Sequence, residues 1–86
     1  MFPIDDLVQL AEELQRHSVD ARYMILYGAY GGMEGLEVGE EFFPAWELQL
    51  PENRAALEQL DFAVIKSRRG PDWSIEPPRQ VRRIAV

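Results

Sequence analysis

The chain has 86 residues, no cysteine, a net charge of −6 and an apolar content of 47%. A chain of this length makes one domain that buries roughly 60–65% of its unfolded surface, too small for a deep enclosed substrate cavity. Without cysteine there are no disulfides, thiolate nucleophiles or cysteine metal sites, and the expected setting is cytoplasmic.

Charge is unevenly distributed. Residues 1–61 hold thirteen acids against three cations, and residues 62–86 hold six cations against two acids, balances of −10 and +4. The opening Met1-Phe2-Pro3-Ile4-Asp5-Asp6 lacks the basic and apolar segments of a secretory signal. No run approaches the roughly 20 apolar residues of a membrane span, so no membrane association is expected.

In chain order, Leu7, Leu10, Ala11 and Leu14 recur at helical spacing and predict a helix over 4–17. Asp5 and Asp6 suit its positive end, and Arg16 and His17 its negative end. Residues 21–30 predict a strand in the centre of the sheet, because Tyr23-Met24-Ile25-Leu26-Tyr27 is apolar on both alternating faces. Five of the six glycines then fall at 28, 31, 32, 35 and 39, interleaved with Glu34, Glu37, Glu40 and Glu41. This predicts a Gly-rich acidic loop over about 28–41. The alternation Phe42, Pro44, Trp46, Leu48, Leu50 predicts an edge strand, with a short helix beginning at Pro44 as the rival reading. Pro51 and Glu52 open a second helix carrying Ala56, Leu57 and Leu60. Residues 62–67 predict a strand, Gly70-Pro71-Asp72 a turn, Trp73 to Glu76 a short strand, and Gln80 to Ala85 extended structure. The expected fold is a small α+β domain. Two helices pack on one face of a 3–5-stranded antiparallel or mixed sheet, in the order α-β-β-α-β-β.

The catalytic inventory is poor. His17 is the only histidine, and its place at a helix end is explained by the dipole. Ser18, Ser67 and Ser74 have no His–Asp partnership. The glycine cluster lacks the Lys-Ser/Thr ending of a phosphate-binding loop and is followed by carboxylates. The acids lack the spacing of a calcium loop. No catalytic residue, metal site or cofactor is therefore assigned, and the chain is expected not to be an enzyme.

What remains is a surface that meets a partner. The leading expectation is a protein–protein interaction module acting by occlusion: an inhibitor, an immunity or antitoxin-like protein, or a phage-encoded modulator. It would use Glu34, Glu37, Glu40 and Glu41 with Trp46, an acidic surface also able to mimic nucleic acid. The alternative is a nucleic-acid-binding or regulatory domain using a basic hairpin over 66–83, with Lys66, Arg68, Arg69, Trp73, Arg79, Arg82 and Arg83. Those cations have a plainer reading too, as internal neutralisers of the acidic part. A third reading is a small-molecule sponge or sensor at a homodimer interface, its pocket lined by Tyr27, Tyr30 and Trp46. A protein partner is expected first, a homodimer alongside it, and nucleic acid after both.

Overall fold

A computed structural model describes residues 1–28, 31–70 and 80–82, the last three as backbone only. The first helix, α1, spans Leu7–Arg16 and buries Leu7, Leu10, Ala11 and Leu14 on one side. Asp6 caps it: its carboxylate accepts the Gln9 amide at 3.2 Å, meeting one of the orphan donors of the first turn. Ahead of α1, Phe2 and Ile4 are also buried. Their segment is pinned by a hydrogen bond from the Phe2 amide to Glu58 Oε1 at 2.9 Å. A second runs from Gln49 Nε2 to the Ile4 carbonyl at 3.0 Å.

Among the described residues the sheet has four strands, β1 (Ala21–Gly28), β2 (Gly31–Val38), β3 (Glu41–Pro44) and β4 (Gln80–Arg82). They are ordered β3-β2-β1-β4, and every pairing is antiparallel. The central place expected for the 21–30 strand is correct, since β1 is flanked by β2 and β4. Directly opposed residues share a face of the sheet. The register Tyr23–Leu36–Phe43 and Ala21–Val38 therefore identifies the face that meets the helices. Leu36, Phe43 and Ala21 enter the core beside α1 and Leu48, Leu57 and Ile65.

The expected loop over 28–41 is instead mostly strand. Gly31 and Gly39, with φ of +109° and +60°, serve the turns at either end of β2. Gly35 has a different purpose. A Cβ there would lie 2.3 Å from the Phe43 carbonyl oxygen and 2.7 Å from the Phe42 ring, so only glycine lets β3 close on β2. Glycine clustering reads as a loop in the sequence, whereas here Gly35 admits a neighbouring strand.

Both readings of 42–50 hold in part. The strand runs to Pro44, and α2 (Ala45–Leu48) begins there, with Pro44 still extended at φ −64° and ψ 152°. The helix opened by Pro51 is α3 (Pro51–Glu58). The expected strand over 62–67 is instead the helix α4 (Phe62–Ser67). Val64 and Ile65 favour strands by propensity. Asp61 overrides them by accepting the Val64 amide at 3.2 Å, and Leu60, at φ +59°, turns the chain into position. The architecture is α+β, as expected, with two further short helices. The radius of gyration is 12.4 Å.

Candidate functional site

The three cations at the end of α4 do not form a hairpin tip, because a helix delivers them. Lys66 is in its last turn, and Arg68 and Arg69 follow it. Each points to an acceptor within the chain. Lys66 Nζ donates to Glu41 Oε1 at 2.6 Å, across the surface. Arg68 donates to the Glu52 carbonyl and, at 3.3 Å, to Asn53 Oδ1.

Arg69 is the most committed of the three. Its Nε donates to Glu47 Oε2 at 2.7 Å and one terminal nitrogen to Glu47 Oε1 at 2.8 Å, a bidentate fork. The same nitrogen donates to the Phe42 carbonyl at 2.8 Å, and the guanidinium carbon lies 5.0 Å from the centre of the Phe43 ring. The Glu47 and Arg69 side chains are only 2% and 10% exposed. Asn53, also buried, supports the arrangement by donating to the Glu47 carbonyl at 2.8 Å. The neutralising reading of Lys66, Arg68 and Arg69 thus describes their contacts. Trp73, Arg79 and Arg83 lie outside the described residues, and Arg82 is described only as the backbone partner of Ile25.

The acidic candidates do not gather into one patch. Glu34 and Glu37 are three apart on one strand and therefore lie on opposite faces of the sheet. Glu34 is exposed and accepts the Tyr23 hydroxyl at 3.1 Å. Burial, reinforced by that carboxylate, holds the Tyr23 hydroxyl above its ordinary pKa. Glu40 is exposed in the turn after β2. Glu41 opens β3, and its hydrogen bond with Lys66 is the main influence keeping its carboxyl below the usual range. Glu47 is the buried acidic side chain among the described residues.

Three large apolar side chains are exposed around this region: Trp46 at 48%, Met33 at 40% and Tyr27 at 39%. Tyr30, the remaining aromatic of the pocket reading, lies outside the described residues. Sequence reasoning missed Met33, which the loop reading left without an orientation.

A further feature emerges from the ladder. β3 pairs only with Gly35–Val38, so the distal half of β2, Gly31–Glu34, extends past it. All four of those residues are exposed. The last ladder pair is Gly35–Pro44, after which the chain leaves the sheet as α2. Among the described residues, β1 alone pairs with β2 beyond that point, and the side of β2 that β3 occupies carries no strand there.

Among the described residues no group of three or more His, Asp or Glu side chains is placed to hold a metal ion, and no helix is long and apolar enough to cross a membrane. Comparison with protein-family models, with curated proteins and with solved structures finds no match.

Proposed function

We propose that the chain is a protein–protein interaction module that works by occluding a cationic surface of its partner in the cytoplasm. The observation that carries this reading is the internal engagement of Lys66, Arg68 and Arg69, which leaves the outward charge of residues 1–70 dominated by carboxylates. Glu40 and Trp46 are exposed beside the β2–β3 hairpin, and Glu34 lies on the exposed half of β2. Exposed acids supply steering charge, and the exposed tryptophan supplies an anchor.

The nucleic-acid reading requires the same three cations for phosphates. Using Arg69 that way would strand the buried Glu47 carboxylate, a penalty that weighs against it.

Affinity capture with the full chain from nuclease-treated native lysate tests the proposal. A stoichiometric protein partner is expected, lost on combining Glu40→Lys with Trp46→Ala. Retention of nothing except nuclease-sensitive material would overturn it in favour of the nucleic-acid reading.

A further inference from the structure

The exposed half of β2 has a definite hydrogen-bonding polarity. The Gly39 amide donates to the Asp20 carbonyl at 3.0 Å, which places Gly39 in a bonded pair facing β1. The backbone N–H and C=O of one residue point to the same side of a strand, and the side alternates along it. Following the unbroken register of β1 with β2, Glu37, Gly35, Met33 and Gly31 also face β1. Arg69 confirms this from the other side. The Phe42 carbonyl it binds points away from β2, so Phe42 and Glu37 form a non-hydrogen-bonded pair.

The even residues of β2 consequently turn their backbone groups outward. Leu36 and Val38 face β3 in the ladder. Gly32 and Glu34 face the open lane beyond Pro44, with two donors and two acceptors between them. At the β3 margin Arg69 covers the Phe42 carbonyl. Among the described residues, no such cover lies beside Gly32 and Glu34, which are exposed.

We propose that this lane receives an extended cationic segment of the partner protein, added as a strand beside β2. The inference rests on the interaction reading above and names the site and the chemistry it takes. Backbone groups of Gly32 and Glu34 supply main-chain hydrogen bonds, and flanking side chains select the sequence. Glu34 lies in the lane itself, and residues 1–61, β2 among them, carry a balance of −10, which favours lysine or arginine in the incoming strand. A second copy of this chain, also at −6, would bring like charge to the same edge. Tyr27 and Met33 offer apolar contact on the two faces. The Tyr27 ring lies against Gly32, where an added Cβ would come within 3.3 Å of it. The lane accommodates about four residues, ending where Pro44 and α2 block it.

The test uses the full chain and a blocked peptide of alternating lysine and valine, six residues long, with a glutamate–valine peptide as control. Amide exchange followed by NMR is expected to show Gly32 and Glu34 fast in the free chain. They slow at least ~tenfold with 1 mM of the lysine peptide and not with the control. Glu34→Pro removes an outward donor without removing a β1 ladder bond, and is expected to weaken peptide binding at least ~tenfold. Glu34→Lys, an exposed substitution that keeps the backbone donor, checks the charge preference separately and should also weaken it. Slowing at other amides, no slowing at all, or unchanged binding by a folded Glu34→Pro chain would overturn the proposal. So would protection already present without peptide; dependence on protein concentration would then assign the lane to a second copy. A captured partner retained by Glu34→Pro would overturn the lane alone, whereas capture of no protein would overturn the interaction reading itself.

Discussion

Glu47–Arg69 and Glu41–Lys66 both tie the segment after β2 to the end of α4, but one pair is sealed and the other is wet. The first is 2% and 10% exposed, bidentate and shared with a backbone carbonyl. The second is 49% and 50% exposed and has one contact. Charge alone does not distinguish them. Lysine is a point charge that remains hydrated at the surface, whereas the planar arginine fork satisfies both carboxylate oxygens while its face lies on Phe43. A buried pair is hard to break because its survivor is stranded, while an exposed pair returns to water.

Breaking the sealed pair has the largest expected effect. Arg69→Met should destabilise the chain by about 3–5 kcal/mol in denaturant unfolding, because it leaves the Glu47 carboxylate buried and unpaired. Combining it with Glu47→Leu should cost less than either substitution alone. A cost below about 1 kcal/mol for Arg69→Met would show that water reaches Glu47. An intermediate effect is expected for Asp61→Ala, which removes the cap of the helix that delivers both cations. About 1 kcal/mol should be lost, with Glu41–Lys66 and Glu47–Arg69 loosened together in side-chain NMR.

The smallest effect belongs to the exposed pair. Lys66→Ala should cost less than about 1 kcal/mol, and less still at high salt. Its signature is in pH. The folded chain holds the Glu41 carboxyl below its ordinary value of 4.5, so the unfolded chain takes up this proton more readily. The contribution is complete above about that pH and fades as pH falls through the lowered folded value. Stability measured between pH 6 and pH 3 should therefore fall more steeply in the wild type than in Lys66→Ala. Equal slopes would remove the pair from the account.

The elements legible in the sequence are those whose local and tertiary demands agree. In α1 the apolar spacing, the Asp6 cap and the terminal Arg16 all point to one helix. The doubly apolar β1 reads as a central strand, and it is one. The failures are at places where a neighbour distant in sequence decides. Nothing local shows that Gly35 is there to admit Phe42 and Phe43, or that Asp61 outweighs Val64 and Ile65. The candidate site follows the same pattern. The acids and Trp46 can be listed from the sequence, but the partners of Lys66 and Arg69, 25 and 22 positions away, require the fold. The outward polarity of Gly32 and Glu34 depends on a register that no run of residues displays. A recoverable signal did exist: Leu36-Glu37-Val38 alternates as a strand, and it was masked by the glycines around it.

The pinning of Phe2 and Ile4 carries an entropic cost. The Phe2 amide closes on Glu58 across 56 positions, and the Ile4 carbonyl on Gln49 across 45. Both contacts close over long stretches of sequence, so each costs more loop-closure entropy than a bond between neighbouring elements. They hold two large apolar side chains in the core. The β1–β2 ladder joins residues close in sequence and so closes at lower entropic cost. Its exposed strand edge thus depends on none of the long-range contacts that hold Phe2 and Ile4.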